Sequence, residues 1–208
     1  MSAWSLFLAA RGTRAFLLTV AVTLVAVLAA GVRVFEVVID PVRPPRFTPV
    51  WEALPVAAAL LAPALVAPRL ASWEILAGCR VRWRAAVLPV AGALAPAAIP
   101  WVAHFRLPAD ARWWDICCNV GCFGALAFLA TPWLGRAGGP IVGLGVYVAV
   151  IAAQQLDDGI SARLPVSGAA SNLQAHPVAS ALLIGLAALA WGATNGRSRF
   201  LARLQRNT

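Results

Sequence analysis

The chain reads as an all-α integral membrane protein with six transmembrane helices, both termini cytoplasmic, and three observations lead there. Its composition is 61% hydrophobic and only 12% charged, against roughly 25% charged in an average soluble domain, and its mean hydropathy is +0.79. Apolar runs of membrane-spanning length recur along it, and arginines alternate between successive loops. A soluble core of this size would leave large sticky patches on its surface. In hydrocarbon every backbone N–H and C=O must find its partner inside its own segment, which selects helices.

Taken in order, Met1 to Thr13 spaces Trp4, Phe7, Leu8 and Arg11 at helical intervals. That spacing predicts a short amphipathic helix, residues 1–13, lying on the membrane surface. The spans are expected at 16–32, 53–68, 85–103, 116–135, 137–156 and 177–195. Each approaches or exceeds the ~17 residues needed to cross about 30 Å of hydrocarbon; the second is the shortest and recruits flanking residues such as Trp51. The first run, ending near LAAG, has the outline of a signal peptide. It is longer than a signal core and lacks a clean A-x-A, so it reads as a span. Pro55 and Pro63 interrupt the second span, Pro89, Pro96 and Pro100 the third, and Pro132 lies near the inner end of the fourth. Each removes an i→i−4 bond and favours a kink. DPVRPPRFTP, residues 40–49, is expected to be extended. Residues 157–176 form the longest extramembrane stretch, polar and without a repeating catalytic pattern.

Orientation follows from charge. All 17 basic residues are arginine, and the net charge is +9. One side of the six-span arrangement carries Arg11, Arg14, Arg69, Arg80, Arg82, Arg84, Arg136, Arg197, Arg199, Arg203 and Arg206. The other carries Arg33, Arg43, Arg46, Arg106, Arg112 and Arg163, interspersed with Glu36, Asp40, Asp110, Asp115, Asp157 and Asp158. The arginine-rich side is expected in the cytoplasm, which places both termini there. Richness in Ala, Val and Arg without Lys suggests a high-GC bacterial gene, and hence the bacterial cytoplasmic membrane. With no lysine, Schiff-base and P-loop chemistry within this chain is excluded. G-x-x-x-x-G-K, G-x-S-x-G and H-E-x-x-H do not occur, so no catalytic residue is assigned.

Polar groups inside the spans are few. Thr19 and Thr23 share a face of the first span, Asp115 and Asn119 share a face of the fourth, and Gln154 and Gln155 lie near the outer end of the fifth. They suit contacts between neighbouring helices, at about 0.6 kcal/mol each, or else a polar substrate path. They do not form a proton relay through the bilayer. Cys117, Cys118 and Cys122 lie in WWDICCNVGC. Their spacing is neither C-x-x-C nor a standard zinc pattern, so they read as small packing residues beside Gly121, Gly124 and Ala125 rather than as a metal or thiol redox site. No metal site is expected. An intramembrane enzyme built on Asp115 and Cys118 is the least favoured reading.

One inner segment, 69–84, concentrates arginine, tryptophan and a glutamate: ASWEILAGCRVRWR occupies 71–84. Glu74, Gly78 and the following basic run resemble the coupling segment of type-two ABC exporter permeases, which commonly reads E-x-x-x-G-T after the second span. Cys79 stands here in place of the threonine. That family also commonly has a cytoplasmic amphipathic helix before the first span and a long outer connection between the fifth and sixth. The resemblance implies a permease subunit of an exporter, working with a second permease copy or a related permease. A separate ATPase subunit, binding ATP and Mg, would energise it, and this chain itself would need no cofactor. It further implies that Trp73, Glu74, Gly78, Arg80, Arg82 and Arg84 touch the ATPase. Trp and Arg are enriched at interface hot spots, and Ser72 is placed to cap a short helix. The alternatives are arginines that only set topology and bind anionic headgroups, and a non-transporting scaffold or immunity-type subunit. The cargo stays open among a lipid, a hydrophobic natural product and a peptide.

Overall fold

A single helical segment of 44 residues, Trp113–Leu156, organises the chain. Drawn straight it would run ~66 Å, about twice the hydrocarbon thickness. It does not run straight. The computed structural model describes residues 3–38, 46–68, 79–107, 111–156, 159, 162–167 and 174–196. The elements are α1 (Ala3–Ala9), α2 (Thr13–Ala30), β1 (Val34–Val37), β2 (Arg46–Pro49), α3 (Val50–Val66), α4 (Cys79–Ala103), a 3-10 turn (His104–Arg106), α5 (Trp113–Leu156) and α6 (Pro177–Thr194).

Inside α5, Gly135 has φ 83 and ψ −177, a region open in practice only to glycine. The helix folds back there. A Cβ on Gly139 would overlap Thr131 Oγ1 and Ala127 O, and one on Gly143 would sit 3.1 Å from the Ala127 Cβ. Further out, Phe123 and Tyr147 meet edge to face at 5.0 Å. Partners therefore step away symmetrically from residue 135, as two antiparallel limbs require. The expected spans at 116–135 and 137–156 correspond to these limbs.

The first limb, 113–134, is the centre of the molecule. Cys118, Asn119, Val120, Cys122, Phe123, Ala125, Ala127 and Phe128 are all buried. It packs against α3, α4 and α6, with Gly124 drawn against Ala59 and Ala93. The second limb lies mainly along α3, whose Leu60 reaches Gly143. Helix α2 packs on α3 and α4 at the periphery. Among the described residues, four helices are long and apolar enough to cross a membrane: Thr13–Ala30, Arg82–Arg106, Trp113–Leu156 and Pro177–Thr194. Val50–Val66 is a shorter apolar helix, screened by its neighbours.

Surface and interior are inverted relative to a soluble fold. Leu17 and Leu18 on α2, Ile141 on the second limb and Leu182 on α6 are each more than 60% exposed, while Glu52, Asn119, Gln154 and Gln155 are buried. Exposed aromatics gather at two levels: Trp4, Trp83 and Trp133 at one, Trp101, Phe105 and Trp114 at the other. Trp83 to Trp101 along α4, and Trp114 to Trp133 along α5, each span ~27–29 Å of helix. That matches the distance between the two interfaces of a bilayer, where aromatic belts lie. These properties are those of a membrane protein.

The two ends differ. At the basic end α1 turns back on α2 through Gly12, at φ 60, and Phe7 is buried there. Arg11 lies 4.7 Å from the Phe7 ring and donates to Asn195 O at the end of α6, at 2.9 Å. Arg84 of α4 covers the Trp4 ring at 5.3 Å. The opposite end holds an antiparallel hairpin, β1 on β2, with Val34 opposite Pro49 and Val37 opposite Arg46. This two-stranded sheet amends the purely helical expectation. Within the stretch expected to be extended, residues 46–49 are strand and 40–45 lie outside the described residues. Helix α3 begins at Val50, ahead of the span expected from 53, and α4 begins at Cys79, ahead of the span expected from 85.

Internal prolines and helix ends both leave carbonyls without an i+4 donor, and one orphan of each kind is filled from elsewhere in the chain. Pro132 leaves Phe128 O, and the Trp191 indole N–H donates to it at 2.7 Å, with the two rings packed at 5.0 Å. Ala64 O lies in the last turn of α3, which ends at Val66, and Arg136 Nε donates to it at 2.6 Å. Trp191→Phe strands a buried carbonyl and should cost about 1–3 kcal/mol, read as a lowered Tm of the detergent-solubilised protein. Adding Pro132→Ala restores an N–H at i+4 and should recover much of that loss; no recovery would show that the bond is not the cause. Gly139→Val forces the limbs apart and should cost a further 1–3 kcal/mol, on the order of other overpacked cores.

Candidate functional site

Buried amides mark the site. Asn119 is the seventh residue of α5 and faces inward on the first limb, 2% exposed. Because α5 folds back at Gly135, Gln154 on the second limb arrives at the same level. Between them runs a short strap, residues 162–167, drawn into the bundle so that Val166 and Ser167 are buried. Asn119 pairs with the Ser167 main chain at two points: its Nδ2 donates to Ser167 O at 3.0 Å, and Ser167 N–H donates to its Oδ1 at 3.1 Å. The Ser167 hydroxyl approaches the same Oδ1 at 3.4 Å. From the other side Gln154 Nε2 donates to Val166 O at 3.0 Å. Cys122 Sγ lies 4.0 Å from Pro165 O, a weak contact at most. Gln155 reaches outward and donates to Val37 O of β1 at 2.8 Å.

These bonds have a physical cause. A strap that leaves helical geometry inside a bundle exposes N–H and C=O groups that water cannot reach, and each must be paired. Side-chain amides carry both a donor and an acceptor, so one Asn can satisfy both main-chain groups of one residue. Asn119 and Gln154 thus bond a non-helical strap rather than a neighbouring helix, and Gln155 bonds a strand. The polar extramembrane stretch expected at 157–176 has an inward-folded part, 162–167, which hydropathy does not reveal.

The other expected site residues are scattered. Asp115 is buried one turn from Asn119 and forms an ion pair with Arg112. The Thr19 hydroxyl bonds Ala15 O within α2 at 2.9 Å, and Thr23 is half-buried on that helix. Among the described residues neither threonine forms a hydrogen bond to the strap. Arg82 and Arg84 lie at the basic end, at the far end of the bundle from the strap. Trp73, Glu74 and Gly78 lie outside the described residues, as does the side chain of Arg80.

Scans against protein-family models, curated proteins and solved structures gave no match.

Sequence reasoning missed Glu52. It is buried in the first turn of α3, one residue before the span expected from 53. A signal was available: an acidic residue shortly after Pro49 suits the positive end of a helix dipole. An apolar groove of about 370 Å³ opens between α4, the first limb and α6, walled by Leu94, Trp101, Trp114, Cys117, Cys118 and Ser180. Among the described residues no group of three or more His, Cys, Asp or Glu is placed to hold a metal ion. Cys117, Cys118 and Cys122 are free thiols.

Chemically, then, the site holds a main chain by hydrogen bonds and has no nucleophile–base pair among them. Asn119→Leu removes the two-point pairing and should let the strap open. At about 1 kcal/mol per bond, and 1.4 kcal/mol per factor of ten, tryptic cleavage after the exposed Arg163 should accelerate roughly ten- to thirtyfold in intact protein. An unchanged rate would mean that Asn119 does not hold the strap.

Proposed function

We propose that the chain is the membrane-spanning permease subunit of an ATP-driven exporter. In this reading it has six spans, with the basic end and both termini in the cytoplasm of a bacterial cell, and a separate ATPase subunit supplies the energy. The spans are α2, α3, α4, the two limbs of α5, and α6. The basic end is assigned to the cytoplasm by its arginines.

The observation that carries the reading is the mechanical connection at that end. The candidate coupling segment, 69–84, leads directly into α4. Arg84, in the first turns of α4, covers Trp4 of α1, and the α1–α2 turn is bonded through Arg11 to the end of α6. Force applied by a partner at the segment would reach the first, third and sixth spans together. Arg136 adds the α5 turn to α3. A purely topological role for these arginines predicts no such convergence of side chains. The resemblance of Glu74, Gly78 and the basic run to a coupling segment supplies the partner's identity: an ABC ATPase with bound ATP and Mg, acting on a pair of permease subunits.

Purification from native membranes in mild detergent should bring down an ATP-binding subunit with this chain. Glu74→Ala, or Arg82→Ala, should reduce that recovery at least tenfold while leaving the thermal stability of the isolated chain unchanged. Recovery of a lone monomer with full activity would overturn the reading. In vesicles holding the whole complex, removing this chain should abolish ATP-dependent flux; persistence of flux would point instead to a scaffold.

A further inference from the structure

The strap's hydrogen bonds are unusual in what they recognise. Asn119 reads the N–H and C=O of residue 167, and Gln154 reads the C=O of residue 166. Among these bonds only the long 3.4 Å approach of the Ser167 hydroxyl involves a strap side chain, while the Val166 side chain is buried in the apolar core. Main-chain atoms are common to every peptide, so beyond an apolar side chain at that one position these bonds set no requirement for this particular sequence. The strap also fits it incompletely. Gln154 is 6% exposed, and its Oε1 is buried without a hydrogen-bond partner. That oxygen belongs to the same amide whose nitrogen holds Val166 O, so it lies within reach of whatever main chain occupies the cleft. An acceptor in that position is complementary to one further N–H.

We infer that the cleft between Asn119 and Gln154 is a binding site for a peptide main chain, which residues 165–167 fill as a tethered surrogate. A peptide that presents an N–H to Gln154 Oε1 makes the bonds to Asn119 and Gln154 named above and one more. It displaces the strap by exchanging hydrogen bonds one for one, so no buried amide is left unpaired during the exchange. Recognition by main-chain bonds with one apolar side-chain pocket gives a site tolerant of sequence elsewhere, as when a peptide adds to a sheet edge. The ligand class is therefore a short peptide without charge in the segment that enters the cleft. As the exporter's cargo site, this rests on the permease reading above. As a peptide site it is tested without ATP, partner or flux, so the two can fail separately.

The test uses the full chain in lipid nanodiscs carrying Val166→Cys, labelled with a membrane-impermeant maleimide. The unsubstituted protein gives the background from its own cysteines. The probe is the strap's own sequence as a free peptide, acetyl-Leu-Pro-Val-Ser-amide, at millimolar concentration. Labelling at position 166 should rise at least tenfold with the peptide and not at all with an analogue N-methylated at its Val and Ser amides. Gln154→Leu should weaken the peptide's effect at least tenfold. If Val166→Cys perturbs folding, tryptic cleavage after Arg163 in the unsubstituted chain reports the same displacement, because the probe contains no tryptic site. Two results overturn the inference: labelling and cleavage both indifferent to the peptide, or an equal response to the N-methylated analogue.

Discussion

The fold-back at Gly135 is the constraint on which the other features depend. A residue with φ 83 and ψ −177 has to be glycine, and it reverses a 44-residue helix within a single position. That reversal puts the first limb inside a ring of helices and leaves the second along α3. It also sets the register in which Thr131 meets Gly139, Ala127 meets Gly143 and Phe123 meets Tyr147. The same register carries Asn119 and Gln154 to one level. The strap clamp is therefore a consequence of where the helix turns, sixteen residues or more along the chain from either amide.

A second theme is how an apolar bundle rich in proline keeps its main chain satisfied. Each internal proline withdraws one donor, and lipid offers no replacement. Trp191 answers for Pro132, and Arg136 fills a carbonyl left open by the end of α3. Arg11 does comparable work at the end of α6, where the unpaired carbonyls also carry the negative end of the helix dipole. Arginines that the charge pattern assigns to one side of the membrane thus also fasten helix ends together. Orientation and packing draw on the same side chains at the basic end.

Much of the architecture was legible in the sequence. The spanning runs, the small residues of the first limb and the aromatic levels all follow from local composition, and the structure places Gly124 against Ala59 and Ala93 as small-residue packing requires. The α5 break was legible to within a residue, because Gly135 and Arg136 interrupt the apolar run together. The candidate site was only half legible. Asn119, Gln154 and Gln155 stood out as buried amides, but their partners did not: an amide in a span bonds equally well to a helix, a ligand or a loop. Residues 162–167 carry an arginine and a serine and read as solvent-exposed, because hydropathy scores a residue's side chain and not the pairing of its main chain. Glu52 was lost to a boundary drawn three residues late.

Partition into lipid is a sum of local terms, and so is the arginine bias that orients the spans. The sequence by itself therefore determined the class of this protein, the rough limits of its helices and the contrast between its two ends. Hydrogen-bond partners are not local terms. Asn119 finds Ser167 across 48 residues, Gln155 finds Val37 across 118, and Arg11 finds Asn195 across 184. Only the tertiary structure decided those pairings, because each exists only once the limbs have folded back and the helices have packed. With them came the strap, the clamp that holds it and the connections at the basic end.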